Sequence, residues 1–147
     1  METWHPFAVH VPLTLVLLWP MLDLIGLLTR RPDVSWAGVL LLAVSVPSTL
    51  FATVTGQAAL DAAFASGIEP ELVATHVDRG EVMPWMMLLL LALRVGGVRK
   101  WGRPAHLTAL ALGGLVMAFV LTVGMSGGKL VHEHGVGVRL YREKAPR

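Results

Sequence analysis

The sequence predicts an all-α fold: a bundle of four transmembrane helices with a short C-terminal tail. Three observations carry this expectation. Of the 147 residues, 54% are hydrophobic and only 15% charged, whereas a soluble domain carries about 25% charge and about 45–50% apolar residues. Mean hydropathy over the chain is +0.64, which a water-exposed surface would not tolerate. The apolar residues also run in four continuous stretches without alternation, as helices in lipid require and barrel strands do not. The whole chain, 1–147, reads as a single integral membrane domain.

The helices are expected over residues 7–28, 34–55, 70–98 and 105–125. A bilayer core of about 30 Å takes roughly 20 residues at about 1.5 Å each, and all four stretches reach that length. The third is apolar only from Val82 onward, but Ser66 and Pro70-Glu71 look like a capped start with proline in the first turn, so its helix is extended back to Pro70. The first stretch does not read as a cleavable signal, because Glu2 stands where a basic leader belongs and no small-residue cleavage site follows. Pro12, Pro20, Pro47 and Pro84 each remove a backbone donor and should kink their helices. In the fourth, Ala105, Ala109, Gly113, Gly114 and Ala118 should let a neighbouring helix approach closely.

Four crossings put both termini on one side. Arg30 and Arg31 lie in the first short connection, and Arg99, Lys100 and Arg103 in the last; the middle connection sets Arg79 against Asp61, Glu69, Glu71, Asp78 and Glu81. The excess of basic residues beside helix ends makes the short loops cytoplasmic and turns both termini outward. The tail, with Lys129, Arg139, Arg142, Lys144 and Arg147, pulls the other way, and the loops are weighted over it. Trp4 and Trp85 suit one interface, Trp36 and Trp101 the other.

Composition also excludes chemistry. With no cysteine there is no disulfide, no thiol nucleophile, no iron–sulfur cluster and no covalently attached haem. A net charge of +2 gives no reason to expect nucleic acid. No residue group resembles a catalytic triad or a phosphate-binding loop, so no turnover is assigned and the enzyme question stays open.

The polar residues carry the remaining information. Asp23 and Arg94 lie at matching depth near the cytoplasmic ends of the first and third helices, where an interhelical ion pair competes with separate reach to the interface. His5, His10, His76, His132 and His134 come from distant parts of the chain, yet the topology places all five at the outer face, with His106 alone at the other. Bundle cores build cofactor sites from facing helices, and imidazole ligates haem iron, copper and zinc. Gly80, one turn beyond His76, together with Gly56 and the Gly127-Gly128 pair, would leave flat space for a macrocycle. Arg79, Lys129 or Arg139 would neutralise its propionates. Against a bare metal stand the absence of HExxH and of an i,i+4 histidine pair. His5 with His132 and His134, which would point the same way in an extended tail, forms an alternative exposed zinc or copper site.

The ends of the chain add a resemblance. His5-Pro6-Phe7-Ala8-Val9-His10-Val11-Pro12 resembles the HPxxVHxP opening of a bacterial membrane family catalogued as domain-of-unknown-function 2231. Asp23, Thr55-Gly56, His76 and the closing run from Gly127-Gly128 through Lys129-Leu130-Val131-His132-Glu133-His134-Gly135-Val136-Gly137-Val138 fit its layout, with His132 where the family often has tyrosine. Relatives fused to Rieske or c-type cytochrome domains imply respiratory electron transfer and a b-type haem in the bacterial inner membrane. Carried over, the motifs point to His5, His10, His76 and His134.

The expectation is an electron-transfer subunit binding one haem b per chain near the outer face. His10 and His76 are its first-choice axial ligands, because both lie on helices, and His5 and His134 would support the site. Its partners would be lipid, a redox protein or a quinone, and a larger membrane complex. Two other readings stand beside it: a cofactor-free assembly subunit of a respiratory complex, and a histidine-based copper- or zinc-handling protein.

Overall fold

A computed structural model describes residues 4–136. Four long helices follow one another: α1 (His5–Thr29), α2 (Pro32–Ala65), α3 (Pro70–Trp101) and α4 (Arg103–His132), each long and apolar enough to cross a membrane. All four carry proline in the first turn, where its missing N–H leaves no helical bond unmade. α1 ends at Arg30, which adopts the left-handed conformation at φ 58° and returns its N–H to the carbonyl of Gly26. The turn between α3 and α4 rests on Gly102 at φ 65° and ψ −137°, a region closed to residues with a side chain.

Two helices outrun the sequence-based expectation. α2 continues past Thr55 to Ala65, because Gln57 and Asp61 end the apolar run but the alanine-rich stretch around them keeps helical propensity. The expected long middle loop is therefore mostly helix. At 34 residues, α2 spans about 51 Å, well beyond a bilayer core of about 30 Å. α4 likewise runs past Met125 and through Gly127-Gly128 to His132, since Gly127 is packed against another helix and is not free to turn. α1 has an irregular step at Val9, consistent with Pro12 having no N–H to offer the carbonyl of Ala8. In α3, residues Leu93–Gly97 form a π-helical turn.

The core is apolar at mid-depth: Val16 and Trp19 of α1, Leu42 of α2, Met83, Met87 and Leu90 of α3, and Val116 and Val120 of α4. Small residues set the close approaches. A Cβ on Gly113 would stand 2.5 Å from the Trp19 ring, and one on Gly26 would stand within 2.7 Å of the Ser35 backbone. Of the expected small-residue face on α4, Ala105, Ala109 and Gly113 are buried, while Gly114 and Ala118 point outward, because Val116 and Val120 continue the inner face instead.

Candidate functional site

Polar side chains collect at both ends of this apolar core. At the end with the two short loops, each helix contributes one: Asp23 from α1, Ser35 from α2, Arg94 from α3 and His106 from α4, all buried. Arg94 Nε donates to Asp23 Oδ2 at 2.6 Å and Arg94 Nη2 to Asp23 Oδ1 at 2.9 Å, the two-pronged geometry a guanidinium offers a carboxylate. Arg94 Nη2 also reaches Ser35 Oγ at 2.8 Å, and the Ser35 hydroxyl donates to Asp23 Oδ1. His106 Nε2 lies 3.0 Å from Asp23 Oδ2 but off the direction of a good hydrogen bond. The ion pair of Asp23 and Arg94 forms, and it recruits two residues that were not foreseen.

The other end holds the histidines. His5 Nδ1 bonds the carbonyl of Ala52 at 3.0 Å and Thr55 Oγ1 at 3.3 Å. A carbonyl only accepts, and the Thr55 hydroxyl spends its hydrogen on the backbone of Phe51 or Ala52. Nδ1 of His5 is therefore the N–H, and the neutral ring carries its lone pair on Nε2. His76 repeats the pattern from α3. Its Nδ1 meets Ser126 Oγ at 3.0 Å, while that hydroxyl donates to the carbonyl of Val123, so Nδ1 donates and Nε2 keeps the lone pair.

Each of these rings rests on a glycine. A Cβ on Gly56 would come within 3.0 Å of the His5 ring, and one on Gly127 within 2.9 Å of the His76 ring. The room expected at Gly56 and Gly127 is thus taken by the imidazoles themselves. Gly80 faces open space and offers His76 nothing; its carbonyl instead accepts from Thr53 at 3.3 Å. Gln57 of α2 bonds Glu81 of α3 at the same end.

The remaining expected residues sit differently. His10 is exposed, with Nδ1 bonded to the carbonyl of Pro6 in its own helix at 2.5 Å. It too has Nε2 free, but the ring is not among the interior groups. His132 closes α4 and His134 lies in the turn after it, both exposed. The chain there is not extended, so residues two apart do not share a face. Arg79 is half-buried and Lys129 exposed; Arg139 lies outside the described residues.

Chemically, His5 and His76 each present an imidazole fixed through Nδ1 at the same end of the bundle. Anchoring the second nitrogen in this way sets tautomer and ring orientation in metal-ligating histidines. Among the described residues no group of three or more His, Asp or Glu side chains gathers to hold a bare ion. Comparison with curated proteins and with solved structures finds no match. A family model does match, over residues 1–140, and the chain belongs to the DUF2231 family of predicted membrane proteins.

Proposed function

We propose that this protein is a membrane electron-transfer subunit in which His5 and His76 would hold one b-type haem. The observation that carries the reading is the shared tautomer: both rings donate through Nδ1 to fixed acceptors and leave Nε2 as a lone pair. Two donors are what porphyrin-bound iron asks of a protein, whereas a structural zinc takes four. The pair His5 and His76 replaces the expected pair His10 and His76, because His10 turns its ring to the outside of α1. Haem iron held by two imidazoles supplies one-electron transfer. The chain's own part is to fix both rings against glycine backbone.

A pyridine haemochrome assay on purified protein, with protein quantified in parallel, tests this reading. The expected result is one haem per chain. No haem, or two per chain, overturns it; haem-free protein that copurifies with respiratory subunits would point to an assembly role.

We further propose the bacterial inner membrane as its location, with the histidine end outward. The redox partner would be a protein or a quinone at that face. Arg99 and Lys100 lie exposed at the opposite end, and Lys100 Nζ stands 5.0 Å over the Trp101 ring, an arrangement suited to an anionic headgroup interface. Cysteines placed singly at Ser66 and Thr29, both exposed, should react oppositely with an impermeant maleimide on intact cells. Labelling at Ser66 alone is expected, and labelling at Thr29 alone reverses the orientation.

A further inference from the structure

The hairpin made by the end of α2 and the start of α3 outruns the apolar part of the chain. Past Thr55, residues 56–65 carry α2 about 15 Å further, and α3 begins at Pro70, well before its own apolar run starts at Val82. Asp61 on α2, Glu69 in the turn, and Glu71 and Asp78 on α3 are all exposed. Four exposed carboxylates keep this hairpin out of hydrocarbon. Glu71 and Asp78 are two helical turns apart and share one face of α3. Among the described residues, none of the four takes part in an ion pair. Phe64 and Leu72 are exposed beside them, at a height where lipid does not cover them. The hairpin therefore presents an acidic face with apolar side chains in it and nothing packed on it.

α4 brings the next part of the chain to the same height. Ser126 and Gly127 of α4 touch His76 of α3, which fixes the two antiparallel helices in register. From Gly127 to His132, α4 rises about 7.5 Å more, and the same distance back along α3 from His76 reaches Glu71 and Leu72. There the chain leaves the helix axis. Gly135 adopts φ 66° and Val136 N–H bonds the carbonyl of Leu130 at 3.0 Å, the closure that turns a chain aside at a helix end. Residues 137–147 lie outside the described residues. Their sequence sets Arg139, Arg142, Lys144 and Arg147 against Glu143 alone, with Leu140 and Tyr141 among them. Eleven residues can span up to about 36 Å, more than the hairpin's projection.

We propose that the basic segment 137–147 docks on the acidic face of its own chain's hairpin, its cations against the four carboxylates and Leu140 and Tyr141 over Phe64 and Leu72. Charge, reach and starting height agree on this occupant. Single surface ion pairs are weak, but the tether makes the contact intramolecular and several pairs act together. The docked segment would give the tail's basic charge a partner on its own side of the membrane. The contact requires neither haem nor a particular orientation of the bundle.

Disulfide trapping in the full chain tests the proposal, and the absence of native cysteine makes the introduced thiols the only ones. T75C lies on α3 between Glu71 and Asp78 at an exposed position, and A145C lies in the tail. The double variant is held in phosphatidylcholine nanodiscs at one chain per disc and oxidised with copper phenanthroline. The rate of internal disulfide formation is normalised to the alkylation rate of the same thiols. Adding E71K/D78K should slow it about fivefold or more, as the loss of several surface ion pairs implies, and high salt should slow it likewise. Adding R139E/R142E to E71K/D78K should restore the rate. No slowing in E71K/D78K, or slowing that the charge swap does not reverse, overturns the proposal. Collapse of the rate on adding phosphatidylglycerol also overturns it, since the tail then belongs to lipid headgroups. Should E71K/D78K fail to fold, the salt dependence of the T75C/A145C chain decides by itself.

Discussion

Arg94→Ala is expected to destabilise the bundle by about 3–5 kcal/mol, because it leaves the Asp23 carboxylate buried without a counter-charge. In a chain of this size that corresponds to a fall of about 10–15 °C in the thermal midpoint, read by circular dichroism in detergent. The carboxylate is wholly inaccessible, and water cannot replace two guanidinium bonds at 2.6 and 2.9 Å. Arg94→Lys should recover only part of the loss, since an ammonium reaches one carboxylate oxygen or Ser35 but cannot present the planar fork. The double variant Asp23→Leu with Arg94→Met should be far more stable than Arg94→Ala, since removing both charges removes the unpaired one. A midpoint within about 3 °C of wild type for Arg94→Ala would show that water enters the knot and that the pair is not a structural clasp.

The outcome bears on how much of this molecule could be read from its residues. Four apolar runs of membrane length gave the helices, and the proline at Pro70 correctly placed the start of α3 within what looked like loop. The far ends of α2 and α4 were not legible, because a hydropathy drop marks the end of lipid contact and says nothing about the helix itself. Asp23 and Arg94 could be paired from depth alone. The same reasoning would have reached His106, three residues into α4, and Ser35, three residues into α2, since both lie at the level of Asp23 across a short loop. Depth was used for charged residues and not for a serine or for a histidine set aside as solitary. The histidine end was legible as a gathering but not as a geometry. Which of His5 and His10 turns inward depends on the irregular step at Val9, and that shifts the face of every residue before it. The glycines were read as room for a macrocycle, whereas Gly56 and Gly127 are filled by the imidazoles themselves; Gly80 was matched to His76 by sequence proximity, but the contact comes from Gly127, 51 positions further on.

That distinction makes the ligand pair testable. His5→Ala and His76→Ala should each abolish stable low-spin haem, whereas His10→Ala should leave the visible spectrum intact. The reason lies in how the rings are held. His5 is fixed by Ala52 and Thr55 on α2, and His76 by Ser126 on α4, so each ligand is positioned by a second helix; His10 is tied only to Pro6 of its own helix and faces outward. Removing an anchored ligand leaves a hole of imidazole shape against Gly56 or Gly127. Exogenous imidazole at millimolar concentration should therefore restore the low-spin spectrum of the His76→Ala variant, a recovery that a residue acting only in packing would not give. Gly127→Leu should fail in the same assay without rescue, because the leucine occupies the place of the His76 ring. Loss of haem from His10→Ala with retention in His5→Ala would return the site to the pair that the sequence alone suggested. An unchanged spectrum in His76→Ala would remove α3 from the site altogether.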